Sequence, residues 1–272
     1  MTIDCVYKNL NYDLSRHEHA YGDGVYLIKN ARAQTFLAKL CRPDVEQPLL
    51  NILVTKLYGI LLGEVVSALF PREIVSWDTR MKQFVPQGVY SGEILKQQLR
   101  VICVDLARAG ILPAQFCFEE LSLLLSPKNI RQDHFYIQRK TNERHEVIGV
   151  DVSGSKIGGD QENAWVLFPD PMGATGSSLS YAVGNYKQTI KGKAQGYVAM
   201  HLIVTPEYIK RIKRDHPDVK IFALRLDRGL SEDSVLASIP GHLWDKERGL
   251  TDNHYIVPGA GGVGEILNNS FV

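Results

Sequence analysis

The segment 165–179, Trp-Val-Leu-Phe-Pro-Asp-Pro-Met-Gly-Ala-Thr-Gly-Ser-Ser-Leu, constrains this chain more than any other. An apolar run meets an acid and then a turn of small residues that opens a helix. Strand, turn and helix in that order begin a crossover unit, and such units build parallel sheets. From Arg100 onward, apolar runs and helical patterns alternate through 101–104, 116–125, 135–138, 165–168, 179–187, 197–204, 207–215 and 219–226. The pattern predicts an α/β domain, a mostly parallel twisted sheet flanked by helices, with ligand-contacting loops at its carboxyl edge.

The turn itself predicts an anion site. Backbone N–H groups of residues 172–178 can point inward at a helix N-terminus, where unpaired donors and the positive end of the helix dipole favour negative charge. Thr175, Ser177 and Ser178 add hydroxyl donors. Asp170 stands at the carboxyl end of the strand, where it can hold two neighbouring sugar hydroxyls. Together these features point to a sugar phosphate. No Gly-Lys-Ser or Gly-Lys-Thr is present in the turn, so the nucleoside-triphosphate loop is excluded. A tight turn that uses small residues only for packing is the other reading of the same stretch; the acid and the hydroxyls weigh against it.

Composition narrows the partners. With 272 residues and 44% hydrophobic content, the chain can bury a substantial core. Lys and Arg number 31 against 30 Asp and Glu, a net charge of +1, so neither nucleic acid nor an anionic membrane is indicated. Cys5, Cys41, Cys103 and Cys117 show no C-x-x-C spacing, and two of them lie in apolar runs as small buried hydrophobes, which suits a reducing cytoplasm. Residues 1–11 lack a basic segment followed by an apolar one, so no signal peptide is expected. The apolar stretch 49–70 carries Lys56 and Glu64 near its middle and is expected as a buried helix rather than a membrane span. Its stripe of Asn51, Thr55, Gly59, Gly63 and Ser67 permits close approach of a second helix, within the chain or across a subunit interface.

Residues 1–34 read as a polar arm or partial first strand, and 35–272 as one domain. Residues 34–70 are expected to be mostly helical with a break at Arg42-Pro43. The polar segment between Arg139 and Trp165, with Gly149, Gly154, Gly158 and Gly159, reads either as a mobile cover that excludes water or as a plain surface loop.

Beyond these patterns, Asp170-Pro171-Met172-Gly173-Ala174-Thr175-Gly176-Ser177-Ser178 closely resembles the phosphoribosyl-diphosphate loop of uracil phosphoribosyltransferases. Further matches follow the family's order. Gln87-Gly88-Val89-Tyr90-Ser91-Gly92 and 101–104 lead into Leu106-Ala107-Arg108-Ala109-Gly110, which is similar to the family's diphosphate-binding turn. His134-Phe135-Tyr136-Ile137-Gln138-Arg139 is similar to the strand ending in a second family arginine. Thr205-Pro206-Glu207-Tyr208-Ile209 and His216-Pro217-Asp218-Val219 come next. Tyr255-Ile256-Val257-Pro258-Gly259-Ala260-Gly261 resembles the uracil-binding loop.

The resemblance implies the type I phosphoribosyltransferase fold with a small hood built from the chain ends and 140–164; residues 231–249 read as an insertion. It implies transfer of phosphoribose from 5-phosphoribosyl diphosphate to uracil, giving UMP and diphosphate in pyrimidine salvage. Arg108 and Arg139 would grip the diphosphate as planar charged forks. Asp170, the third residue expected in catalysis, would take the 2'- and 3'-hydroxyls. Pro171, Met172, Gly173, Ala174, Thr175, Gly176, Ser177 and Ser178 would form the 5'-phosphate cradle. Ile256, Gly261, Gly262 and Val263 would read uracil. Magnesium is expected, held mainly through the phosphoribosyl diphosphate and water rather than by a protein metal site. The implied partners are the two small substrates, with no nucleic acid and no membrane, and the implied assembly is a cytoplasmic homodimer.

Several positions depart from the family pattern: Gly173 replaces Leu, Ser177 replaces Gly, Asp105 replaces Pro, and Gly261-Gly262-Val263-Gly264-Glu265-Ile266 stands where the family reads Gly-Asp-Ala-Gly-Asp-Arg, so that Gly262 replaces an Asp expected to help position the phosphoribosyl substrate. Glu265 keeps an acid at the second acidic position of that loop but would need a loop shift to fill the first. Gly262 favours an alternative, a catalytically weak relative that senses a nucleotide or phosphoribosyl ligand. A third reading, an RNA-binding regulator, would want a basic face that the balanced charge does not promise. Gly259, Gly261 and Gly264 spell G-x-G-x-x-G too near the last residue for a following crossover unit, and His17-Glu18-His19 reads as a solvated face of the arm.

Overall fold

The computed structural model describes residues 4–141 and 147–270, with the side chains of 138–152 outside that description. In chain order the elements are β1 (Val25–Leu27), α1 (Ala31–Leu40), α2 (Leu49–Leu69), β2 (Arg72–Asp78), β3 (Val89–Leu95), β4 (Arg100–Ala107) and α3 (Ile111–Leu124). There follow β5 (Ile130–Thr141), β6 (Val147–Lys156), β7 (Ala164–Pro169), β8 (Met172–Gly173), α4 (Ser177–Thr189), β9 (Gly196–Val204) and α5 (Pro206–Asp215). The last are β10 (Lys220–Leu226), α6 (Asp233–Leu236) and α7 (Val263–Ile266).

The near-continuous apolar runs form strands because both faces of the sheet are covered. On β4, Val101 and Cys103 point to one layer, and Ile102, Val104 and Leu106 to the other. Leu167 against Val166 and Phe168 on β7, and Phe222 and Leu224 against Ile221 and Ala223 on β10, repeat the division. Helices α1, α2 and α3 cover the first layer with Leu37, Leu57 and Leu121; α4 and α5 cover the second with Val183 and Ile209. The strand order is β1-β10-β9-β7-β4-β5-β6, parallel except for β6, with β8 added to β9. The expected parallel sheet with helices on both sides is therefore what forms.

Helix α2 is long and apolar enough to cross a membrane by length and composition. Here Val54, Leu57, Tyr58, Leu61 and Val65 are fully buried in the core, and the Tyr58 hydroxyl donates to the Met200 carbonyl at 3.0 Å. Its small-residue stripe divides: a Cβ placed at Gly59 would stand 3.5 Å from the Phe116 ring of α3, while nothing lies within 4 Å of one placed at Gly63. The expected helix break falls between α1 and α2. Cys103 and Cys117 are buried.

The segment 116–125 of the expected alternation lies mostly in helix α3, between β4 and β5. Two other features differ from the expectations or were not anticipated. Strands β2 and β3 form a separate antiparallel hairpin, Arg72 opposite Leu95 and Trp77 opposite Tyr90, that the sequence reading did not assign to any element. Its polar and apolar residues do not segregate, and Ile74, Trp77 and Phe84 remain exposed. In the arm, His17 is exposed as expected, but the His19 ring is half-buried with Nε2 3.0 Å from the Val25 carbonyl, because the arm pairs back along β1.

The glycine-bearing stretch after Arg139 continues β5 and returns as antiparallel β6; residues 142–146 lie outside the described residues. Residues 231–249 dock beside α5, where the Trp244 indole donates to the Pro206 carbonyl at 3.1 Å. A buried ion pair of Arg228 and Glu247 at 2.8 Å fastens that segment, and the Tyr21 hydroxyl donates to the same carboxylate at 2.5 Å.

Candidate functional site

The sheet turns its winding direction between β4 and β7. From β4 the chain crosses to β5 on one side, and from β7 it crosses to β9 and β10 on the other. The loops leaving these adjacent strands diverge and leave a crevice at the carboxyl edge, the place where open α/β sheets bind ligands. The Arg108 turn and the Asp170 loop, far apart in sequence, are these two loops.

After β7, Asp170 donates its N–H to the Met200 carbonyl at 3.1 Å and is half-buried. Beneath it, His201 Nδ1 lies 2.5 Å from the Asp170 carbonyl oxygen, and His201 Nε2 lies 2.5 Å from the Tyr208 hydroxyl. A carbonyl can only accept, so Nδ1 carries the proton and Nε2 accepts from Tyr208. Burial pushes this imidazole down to about 4, keeping it neutral.

The loop carbonyls are turned into the fold. Pro171 accepts from the Leu202 and Ile203 amides, Gly173 from the Thr205 amide, and Ala174 from the Thr205 hydroxyl at 2.7 Å. In a trans peptide the N–H opposes the C=O, so the Thr175 amide faces away from Thr205. Met172 and Gly173 pair with β9 as β8, and the Ala174 amide donates to the Met172 carbonyl, so these residues brace the turn. Gly176, at φ 77°, is the N-cap of α4 and offers no side-chain cap; the Ser177 amide donates to Thr175 Oγ1 at 3.4 Å, and the first-turn amides of Ser178 and Leu179 are left without intrahelical partners. Thr175 Oγ1 and Ser177 Oγ lie 3.1 Å apart at the same end. Amides, hydroxyls and a helix dipole make this an anion-receptive corner of the crevice.

Gly173 explains one departure noted in the sequence. A Cβ there would stand 2.9 Å from Val204 Cγ1 and 3.1 Å from the Tyr208 ring. The larger residue usual in the family would therefore displace the tyrosine that supports His201.

On the opposing loop, the Gly110 amide closes the turn by donating to the Leu106 carbonyl at 3.0 Å, and a Cβ at Gly110 would meet that same backbone. The peptide between Ala107 and Arg108 is cis. Arg108 is exposed, and its Nη1 donates to the Ser270 carbonyl at 3.0 Å and to the Ser270 hydroxyl at 2.7 Å. Asp105 is buried on β4 against His134 of β5, with the carboxylate and Nδ1 in contact. Burial raises the Asp105 carboxyl, and the histidine opposes that rise.

The C-terminal loop is brought to the same turn. Gly264 faces Ala109, whose Cβ would lie 3.5 Å from a Cβ placed at 264, and Val263 is buried in the core. Gly259, at φ 61°, donates its N–H to Asp227 Oδ2 at 2.7 Å and receives Arg225 on its carbonyl at 3.2 Å. Arg225 and Asp227 are themselves paired at 2.6 Å at the end of β10. Ile256 is half-buried and bridges to Leu250, while Gly261 is exposed at φ 72°.

Arg108, the Asp170 loop and residues 256–264 thus occupy one edge of the sheet. Arg139 stands on β5 opposite Val150, three positions beyond the Tyr136 that pairs with the last residue of β4. Its side chain lies outside the described residues. The sequence alone assigned no role to His201, Asp227 or Ser270, and placed Tyr208 only within a matching segment; these residues hold the loops from behind. Thr205-Pro206 carried the one usable signal, a helix cap directly after an apolar strand. Among the described residues no three His, Cys, Asp or Glu side chains converge as metal ligands.

The chain matches the family model described as uracil phosphoribosyltransferase over residues 28–242. A uracil phosphoribosyltransferase from Ligilactobacillus salivarius (strain UCC118) is 30% identical over 168 residues, 62% of this chain and 65% of that protein. One from Thermococcus kodakarensis is 35% identical over 100 residues, 37% of this chain and 34% of its own length. One from Dictyoglomus turgidum is 27% identical over 243 residues, 89% of this chain and 98% of its own. Among solved structures, that of the AQ2163 protein from Aquifex aeolicus superposes with a TM-score of 0.69 at 21% identity, covering 91% of this chain and 99% of its own, a likeness of fold.

Proposed function

This chain belongs to the uracil phosphoribosyltransferase family, and from that premise we propose that it transfers phosphoribose from 5-phosphoribosyl diphosphate to uracil, forming UMP and diphosphate. The observation that carries the proposal is the crevice between β4 and β7, which sets an acid and a helix N-terminus opened by a glycine opposite an arginine turn. A sugar that bears phosphate at one end and diphosphate at the other carries groups that suit these two loops.

In this reading the amides and hydroxyls of 175–178 take the 5'-phosphate and Asp170 steadies the ribose hydroxyls. Arg108, turning from Ser270 to the substrate, meets the diphosphate with a fork of N–H donors. The bond from C1 of ribose to the diphosphate oxygen breaks as the bond to a ring nitrogen of uracil forms on the opposite face, and that nitrogen gives up its proton. No covalent enzyme intermediate is needed. The protein contributes alignment and stabilisation of the departing charge. Backbone groups around Ile256, Gly261, Gly262 and Val263 would read the uracil edge, and Arg139 would approach the diphosphate from β5.

Magnesium is part of the proposal: when bound it offsets the negative charge of the leaving diphosphate. Single carboxylates at the crevice, with no converging set of three among the described residues, suit a cation that arrives on its substrate and keeps much of its water. A cytoplasmic homodimer acting in pyrimidine salvage completes the reading. The β2–β3 hairpin, with Ile74, Trp77, Met81 and Phe84 exposed, offers apolar surface for a second copy to cover.

Purified protein mixed with labelled uracil, phosphoribosyl diphosphate and magnesium is expected to accumulate labelled UMP. Tight binding of phosphoribosyl diphosphate without any UMP would replace the enzyme by the ligand sensor.

A further inference from the structure

Gly262 has φ −79° and ψ 72°, a backbone region open to residues with side chains, so its conformation does not call for glycine. Gly259 and Gly261 differ in this respect, at φ 61° and 72°. What a side chain at 262 would meet is the movable carboxylate end of Glu265. A Cβ built on Gly262 would fall on Oε2 of that carboxylate and stand 3.1 Å from its Cδ. The Glu265 side chain has folded back over residue 262 and fills the space that a side chain there would take.

The backbone around Glu265 is tied to the arginine turn. Its amide donates to the Gly262 carbonyl at 3.0 Å, and its carbonyl accepts from Ser270, the residue that receives Arg108. Its neighbour Gly264 faces Ala109. The carboxylate itself is half-exposed and, among the described residues, has no hydrogen-bond or ion-pair partner. An acid with cleared space, a fixed backbone and unused acceptors beside the diphosphate turn is equipped to meet a ligand.

We infer that Glu265 is a substrate-positioning acid, supplying from three residues downstream the carboxylate that residue 262 lacks. This rests on the reading that the crevice takes phosphoribosyl diphosphate. The donors it accepts from are O–H groups that this substrate brings, either a ribose hydroxyl or water on its cation. No bond to Glu265 is made or broken.

The test measures calorimetric binding of phosphoribosyl diphosphate, with and without magnesium, together with KM and kcat. It compares the wild type with Glu265→Gln, Glu265→Ala, Gly262→Asp and the double variant Gly262→Asp/Glu265→Ala. The isosteric Glu265→Gln guards against misfolding, with circular dichroism as the check. Both Glu265 variants are expected to weaken binding about tenfold and to raise KM more than they lower kcat. Gly262→Asp alone should bring no gain, and the double variant should recover most of the loss. A loss that persists without magnesium assigns the donor to ribose, and one seen only with magnesium assigns it to cation-bound water. Glu265 variants within twofold of a wild type that binds would overturn the inference alone, as would a faster Gly262→Asp or a double variant that folds without recovery. A wild type that does not bind phosphoribosyl diphosphate would overturn the functional reading, and the inference with it.

Discussion

The Tyr208 hydroxyl donates to Nε2 of His201 at 2.5 Å in a site where neither ring reaches solvent, with the tyrosine 1% and the histidine 0% exposed. Through Nδ1 the same imidazole holds the Asp170 carbonyl, so a buried pair on β9 and α5 sets the backbone from which the acid projects. Tyr208→Phe leaves a buried acceptor unpaired and should cost about 1–3 kcal/mol in urea denaturation. The KM for phosphoribosyl diphosphate should rise with it, because the Asp170 backbone loses its support. An unchanged KM in a destabilised variant would confine the pair to folding.

Acidity should act through the same histidine. Its folded value lies near 4 against an ordinary 6.5, so the unfolded chain takes up a proton that the folded chain refuses. The stabilisation is therefore complete above about pH 6.5 and is lost as the pH falls toward 4. At ~1.36 kcal/mol per pH unit, that difference corresponds to about 3 kcal/mol. Denaturation series at several pH values should show a steeper decline for the wild type than for His201→Gln across this window. Parallel curves would remove His201 as the source.

The glycine at 173 is a packing requirement. Introducing leucine should force Val204 and Tyr208 apart and cost about 1–3 kcal/mol or more, read as a lowered Tm. Gly173→Leu combined with Tyr208→Ala should be less damaging than the sum of the two, since the ring makes the clash.

Arg108 should separate function from stability. Its bonds to Ser270 are exposed, so Arg108→Ala should change stability by less than about 1 kcal/mol. Transfer to uracil should nonetheless fall by about 100-fold or more if the guanidinium meets the developing diphosphate charge. Arg108→Lys should restore only part of the rate, because an ammonium lacks the planar fork. Full activity in Arg108→Ala would mean that this side chain only ties down Ser270.

Local sequence determined the elements and one half of the crevice. The apolar runs of β4, β7, β9 and β10, the helical spacing of α2 and α5, and the strand-acid-turn-helix order around Asp170 depend on neighbours a few residues apart, so they were legible in the chain alone. The β2–β3 hairpin was not, because its exposed Trp77 and Phe84 follow no buried face. Only the tertiary structure decided that β4 and β7 lie side by side, that Ser270 meets Arg108, and that His201 and Tyr208 stand beneath Asp170. It also decided that Glu265 fills the place of a missing side chain at Gly262, where the sequence pattern alone suggested an empty position. Those relationships join residues through the direction in which each side chain leaves a packed backbone, and a periodic pattern of apolar and polar residues does not encode that direction.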